Sequence, residues 1–347
     1  MAQGLDQQTE NGKDTMETRK LGKNGPDVSA IGLGCWSFAG AYGATDEHES
    51  HNTLKKALDL GITFLDTANV YGAGISEKTI GSFIKDNPDK FTIATKAGIY
   101  RDPKTNIRSF NNSPEHLREA LEKSLSHLGL DHVDLYYIHR REEERPIEEV
   151  METLVRFKRE GKIGGIGFSE ISPASLRRAH AVHPVSAVQS EYSLWSRMPE
   201  LGVIQACKDL GVAFVPFSPL GRGMLSDKPP DPSTFAASDF RTGTPRFSEP
   251  NFTYNIRAIE GFKNYAHERG ISPATLAIAW TLAKGDHHIP IPGTCSAEHL
   301  EENALAASLK LTPTAMEEID QILPQALPMV TAIQRHNRRV RSVIVDG

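Results

Sequence analysis

Eight short apolar runs punctuate the chain, each separated from the next by a longer segment, and this alternation restricts the fold more than any other feature. The runs are SAIGLGCW (29–36), ITFLD (62–66), FTIATK (91–96), VDLYYIH (133–139), IGGIGFS (163–169), SAVQS (186–190), VAFVPFS (212–218) and HHIPIPG (287–293). Runs this short read as strands, and the amphipathic segments between them as the crossover helices that parallel strands require. The helix starts are legible. SPEHLREALEKSLSHLG has Ser113 as N-cap, Pro114 at the first helical position and Gly129 as the stop, and SPASLRRAHAV (172–182) and SPATLAIAWTLAKG (272–285) repeat the Ser-Pro opening. Strand and helix pairs with no break in composition predict one closed (β/α)8 barrel over residues 17–325. A length of 347 residues permits this, because such barrels often exceed about 200 residues as a single domain.

The flanks do not repeat. Residues 1–16 are polar and are expected to form a disordered leader; residues 326–347 are expected to be a C-terminal tail, whose RHNRRVR stretch reads as surface. ETRKLGKNGPDVSA predicts a hairpin turning at Asn24-Gly25, placed to plug the bottom of the barrel. The segment 221–250, rich in Pro, Ser, Asp and Gly, is too long for an ordinary connection and reads as a lid or a disordered loop. A net charge of -5 and a pI near 6.2 offer no basic field for nucleic acid. No apolar run approaches the 18 or so residues of a membrane span, and the N-terminus lacks a signal-peptide core, so a cytoplasmic protein is expected. Three cysteines without CxxC spacing indicate neither a disulfide framework nor a zinc site, and no metal is expected.

In a barrel of this kind, the C-terminal strand ends converge on the face that carries chemistry. Four polar residues fall there: Asp66 after the second run, Tyr71 in its loop, Lys96 ending the third and His139 ending the fourth. A phenol with a pKa of about 10 is a sluggish acid near neutrality. An ammonium about 4 Å away, at an effective dielectric of about 20, favours the phenolate by on the order of 4 kcal/mol. Asp66 would keep that ammonium charged and pointed, and His139 would offer a neutral N–H to a substrate oxygen. Taken singly, Asp66 could equally cap a loop and His139 could be a core histidine; a buried lysine without a task is harder to dismiss. No GxSxG elbow and no metal-ligand spacing is present, so proton donation to a carbonyl points to hydride from a nicotinamide. A Schiff-base role for Lys96 in an aldolase barrel is a second enzymatic reading. It leaves Tyr71 without a task. Trp36, after the first run, is a candidate wall of the substrate pocket.

Taken together, IGLGCW, GITFLDTANVYG, IATKAG, DLYYIHR, GKIGGIGFSE, VQSEYSLWSR, VPFSPLGRGML and IPIPGTCSAEHLEEN resemble the aldo-keto reductases, from about Glu17 to near Ala307. The resemblance implies that Asp66, Tyr71, Lys96 and His139 are the catalytic tetrad of a carbonyl reductase, with Tyr71 as general acid. It implies NADPH, with NADH possible, and a small-molecule carbonyl substrate. Ser169 and Gln189 would hold the carboxamide, and Phe217 would stack on the nicotinamide where many relatives use Tyr. Ser218, Leu220 and Arg222 would line the pyrophosphate, and Gly293, Thr294, Ser296, Glu302 and Asn303 would hold the adenosine end, at a helix start that favours anions. Three positions depart from the common pattern. Glu170 stands where many members carry Asn, as in the perakine-reductase-like branch, while Gly293 and His299 replace a lysine and an arginine that grip the 2′-phosphate in other members. The same scaffold also serves as a nicotinamide-binding regulatory subunit with little turnover, which is the alternative function.

Overall fold

The computed structural model describes residues 5–7, 16–102, 104–105 and 107–323. Seven parallel strands follow one another around the sheet in chain order: β1 (Leu33–Gly34), β2 (Phe64–Asp66), β3 (Thr92–Ala97), β4 (Val133–Ile138), β5 (Ile163–Ser169), β6 (Ala187–Glu191) and β7 (Ala213–Phe217). The eighth run closes the barrel through isolated parallel bridges, His288 to Phe214 and Ile291 to Phe217 on one side, Gly293 to Gly34 on the other. Two prolines explain why no full ladder forms there, since neither Pro290 nor Pro292 has an N–H to give. The amides of Ile289 and Ile291 donate to Phe214 O (2.8 Å) and Pro216 O (3.0 Å), while the carbonyls of Pro290 and Pro292 accept from Gly32 N (2.9 Å) and Gly34 N (3.2 Å). The backbones meet closely at this seam: a Cβ on Gly34 would stand 2.9 Å from Ile291 O, so a side chain is excluded there. β1 is shorter than the run 29–36 because Trp36 already leads into a 3-10 turn at Ser37–Ala39.

The helices are α1 (Glu47–Asp59), α2 (Ile75–Ile84), α3 (Pro114–Leu128), α4 (Ile147–Arg159), α5 (Pro173–Val182), α6 (Val203–Leu210), α7 (Asn251–His267), α8 (Pro273–Ala283), α9 (Ala297–Ala304) and α10 (Pro313–Ile322). The Ser-Pro starts behave as read: Ser113, Ser172 and Ser272 accept from the third amide beyond them, at His116, Ser175 and Thr275. Gly129 ends α3 in the left-handed region. None of the described helices is long and apolar enough to cross a membrane.

Apolar residues form two clusters. The larger lies between sheet and helices; the smaller fills the barrel interior with Phe64, Ala94, Leu135, Tyr137, Ala187, Val215 and Ile289. The expected hairpin, Thr18–Lys20 against Asp27–Ser29, closes the floor, and its Leu21 and Val28 join the interior cluster with at most 1% exposure. Burying each such side chain contributes about 1.5–3 kcal/mol. The leader expected to be disordered contains a short strand, Leu5–Gln7, paired antiparallel with Leu309–Leu311. The rest of it, apart from Met16, and the tail 326–347 lie outside the described residues.

Candidate active site

The four expected residues meet at the C-terminal mouth. Asp66 ends β2, Lys96 lies one residue from the end of β3, His139 follows β4, and Tyr71 opens a 3-10 turn at Tyr71–Gly74. β2 pairs with β3 and β3 with β4, so three neighbouring strand ends deliver three of the groups. The Lys96 ammonium, fully buried, donates to Asp66 Oδ1, to Thr67 O at 2.8 Å and to Tyr71 Oη at 3.5 Å. The second carboxylate oxygen of Asp66 accepts from Gln189 Nε2 at 2.7 Å. The Tyr71 and His139 rings stand edge to face with centroids 5.9 Å apart. Trp36 stacks on the other side of Tyr71, at 5.6 Å and 24° between planes.

Burial and charge set the protonation states. Burial would lower the Lys96 ammonium, but Asp66 and Tyr71 together raise it above its ordinary value, so it stays charged. Burial raises the Asp66 carboxyl, with Lys96 and Gln189 opposing. The ammonium pulls Tyr71 down as expected from the sequence, yet burial outweighs it and the phenol sits above its usual range. Tyr71 therefore holds its proton at rest. His139 is driven well below the usual imidazole value by burial, then by Arg140, Lys96 and Arg108, so the ring is neutral. Its Nδ1 is buried without a hydrogen-bond partner among the described residues, a polar atom left for a ligand.

The remaining expected residues ring the same mouth. Ser169 ends β5 and accepts from Arg140 Nη1 at 2.9 Å; Gln189 is engaged with Asp66 as well as facing the mouth layer; Phe217 ends β7 and packs on the interior cluster. Ser218 and Arg222 both take left-handed backbone angles in the turn after β7, and Leu220 is partly buried beside them. Arg222 donates one Nη2 bond to Glu191 Oε2 at 3.1 Å, while its Nε and Nη1 are buried without hydrogen-bond partners among the described residues. An orphaned, buried guanidinium edge fits an anionic group such as a pyrophosphate. Gly293 bridges Gly34; Thr294 Oγ1 accepts from Ser296 N (3.0 Å), and Ser296 Oγ caps α9 by accepting from His299 N (3.2 Å). These two hydroxyls take two of the amides that a ligand would otherwise meet at this helix start. The Glu302 carbonyl accepts from Thr275 Oγ1 at 3.0 Å, and Asn303 is buried.

Sequence reasoning missed Glu191 and Arg246. Glu191 ends β6 and takes Arg222 on one oxygen and Arg246 Nη2 (3.3 Å) on the other. Arg246, fully buried, also donates to Gly221 O at 3.0 Å. An acid at a strand end in VQSEYS was the available signal; nothing local marks Arg246. Through these contacts the 221–250 segment is an ordered strap, with Phe240 N–H donating to Ala41 O at 2.9 Å and the Phe240 ring 4.6 Å from Trp36.

Comparison with known proteins agrees with this fold. The aldo/keto reductase family model matches residues 30–324. The chain is 41% identical to the aldo-keto reductase yakc [NADP(+)] of Schizosaccharomyces pombe over 317 residues, 90% of this chain and 93% of that one. It is 39% identical to a probable aldo-keto reductase of Glycine max, over 88% of each chain. Among solved structures, the glycerol dehydrogenase of Gluconobacter oxydans superposes with a TM-score of 0.80 at 28% identity, covering 93% of this chain and 98% of that one. A holo aldo-keto reductase from Bacillus halodurans follows at 0.75 and 25% identity, covering 92% and 99%. A (β/α)8 barrel with these groups at its mouth and this extent of likeness has one family, and the chain belongs to the aldo/keto reductases.

Proposed function

We propose that the protein, an oxidoreductase by family, reduces an aldehyde or ketone to an alcohol with NADPH and takes the proton from Tyr71. The observation that carries this reading is Lys96 Nζ, buried and ion-paired to Asp66, 3.5 Å from the Tyr71 hydroxyl. NADPH, when bound, supplies the hydride. Tyr71 Oη–H and the neutral His139 ring bind the carbonyl oxygen, and as negative charge gathers on that oxygen the phenolic proton passes to it. The phenolate left behind is met by Lys96, an attraction of about 4–5 kcal/mol at 3.5 Å and an effective dielectric of about 20. Asp66 keeps the ammonium charged through that step. Residues for the cofactor are Ser169, Gln189 and Phe217 at the nicotinamide, Ser218, Leu220 and Arg222 at the pyrophosphate, and Gly293, Thr294, Ser296, Glu302 and Asn303 at the adenosine. The S. pombe relative is named for NADP(+), which favours NADPH here despite Gly293 and His299.

Steady-state oxidation of NADPH over a panel of aldehydes, ketones and quinones tests the reading. Tyr71→Phe is expected to lower kcat by about 10²–10⁴-fold while NADPH affinity, read by fluorescence, stays within about twofold. Equal loss of both would mean the acid lies elsewhere. Turnover below about one per minute on every compound would favour the regulatory subunit, since working enzymes turn over about 1–1000 times per second.

A further inference from the structure

Asp66 and Gln189 belong to opposite walls of the barrel, since β2 and β6 are four strands apart in the ring. The Gln189 side chain nevertheless reaches Asp66 Oδ2 at 2.7 Å, and both residues are at most 3% exposed. An amide side chain has two unlike ends, and its NH2 is the one that can face a carboxylate. Chemistry therefore fixes the orientation of Gln189, with Nε2 on Asp66 and Oε1 turned away from it. Tyr137 of the interior cluster holds its ring 5.7 Å from Lys96 Nζ, in space that Gly167 leaves open: a Cβ there would stand 2.4 Å from Tyr137 Cδ1.

Each oxygen of the buried carboxylate thus has its own donor, Lys96 on Oδ1 and Gln189 on Oδ2. The three ammonium hydrogens of Lys96 are likewise divided among Asp66 Oδ1, Thr67 O at 2.8 Å and Tyr71 Oη at 3.5 Å. The bond to the phenol is the longest, so it is the first to yield. Without Gln189, Asp66 Oδ2 becomes a buried acceptor that has lost its donor, an unfavourable state. A carboxylate that turns about its Cβ–Cγ bond relieves it by taking Lys96 on both oxygens, which draws Nζ off Tyr71.

We propose that Gln189 is a positioning residue for proton transfer: by holding Asp66 Oδ2 it confines the carboxylate to one contact with Lys96 and keeps the ammonium on the Tyr71 hydroxyl. This goes beyond a part in holding the carboxamide, and it rests on the reductase reading for its kinetics. Gln189→Glu separates the two roles, because the introduced carboxyl keeps an oxygen for the cofactor but gives Asp66 a donor only while protonated. Beside a second carboxylate its pKa rises above the ordinary value of about 4.3. Below the raised value the link is present; above it two carboxylates repel and the link is lost. The other titratable groups that Asp66 faces, Lys96, Tyr71, Tyr137 and Cys35, keep their protons through neutrality, so the transition belongs to the introduced group.

With saturating NADPH, kcat of Gln189→Glu is expected within about threefold of wild type at low pH and about 10–100-fold down as the pH rises, a limb that the wild type lacks. Gln189→Leu, with no donor at any pH, should be about 10–100-fold slow throughout. A residue serving the carboxamide alone would instead weaken NADPH binding and leave kcat at saturation intact. Urea melts read the link without turnover. Relative to wild type, the midpoint of Gln189→Glu should drop as the pH rises, and adding Asp66→Asn, which offers the new carboxylate an amide donor, should remove the drop. A drop removed in this way, with no turnover on any aldehyde, sinks the reductase reading and leaves the link to Asp66 standing. A wild-type pH profile of kcat in Gln189→Glu, full kcat in Gln189→Leu, or a midpoint drop that is absent or survives Asp66→Asn overturns the proposal.

Discussion

The two ends of the barrel interior are built on the same strands and differ completely. Phe64 on β2, Ala94 on β3, Tyr137 on β4 and Ala187 on β6 belong to the apolar plug that meets the hairpin at the floor. Two residues further along, each strand or its exit presents Asp66, Lys96, His139 and Gln189. One strand period, about 6.6–6.8 Å, separates a layer that only packs from a layer of buried charge and hydrogen bonding. The comparison teaches that stability and chemistry are kept in adjacent slices of one cavity, with the apolar slice anchoring the strand ends that aim the polar groups.

Breaking the polar slice should give the largest effect. Lys96→Met is expected to reduce kcat by about 10³-fold or more and to destabilise the fold by about 3–5 kcal/mol, because Asp66 is left buried without its cation. Adding Asp66→Asn should recover most of the stability in urea melts and none of the activity; a double variant as unstable as the single one would show that the pair holds the barrel together. Leu21→Ala cuts the apolar slice instead. It should cost about 2–5 kcal/mol in the same melts with kcat at saturation nearly unchanged, and a matching loss of kcat would erase the distinction between the slices.

The smallest effect sets the layer between sheet and helices against the mouth by pH. Burial holds His288, which bridges to Phe214 on the floor side, and His139 at the mouth well below the ordinary imidazole pKa. Both are neutral when folded, whereas the unfolded chain takes up protons below about pH 6.5. Stability is therefore complete above that pH and declines as the pH falls toward the depressed folded values, by up to about 1.4 kcal/mol per pH unit for each histidine. His288→Phe, set between Phe214 and Tyr192, should shrink the difference between urea melts at pH 7 and pH 5. An unchanged difference would move the acid sensitivity to the mouth.

Much of this was legible in the sequence because its signals are local. Ser113 followed by Pro114, the apolar runs, and single polar residues at their ends each act within a few positions, and the barrel rule supplied the convergence. What escaped depends on distance or on missing donors. Arg246 is buried by contacts with Gly221 and Glu191, far from it in sequence, and the composition around it looks like open loop. The hairpin between β3 and α3, Ile99–Arg101 against Arg108–Phe110, is polar and without an Asn-Gly turn, so only its pairing shows it. The Tyr71 phenol was read as lowered by the ammonium, because a sequence gives charges but not how much water surrounds them.

Pro290 and Pro292 thin the bonding at the seam, and they also index it. A slip of one residue would turn both rings toward β7, stripping the carbonyls of Phe214 and Pro216 of their donors. No neighbouring alignment is tolerated, so the distance along the chain from the strap to the segment beginning at Gly293 is fixed by two rings that donate nothing.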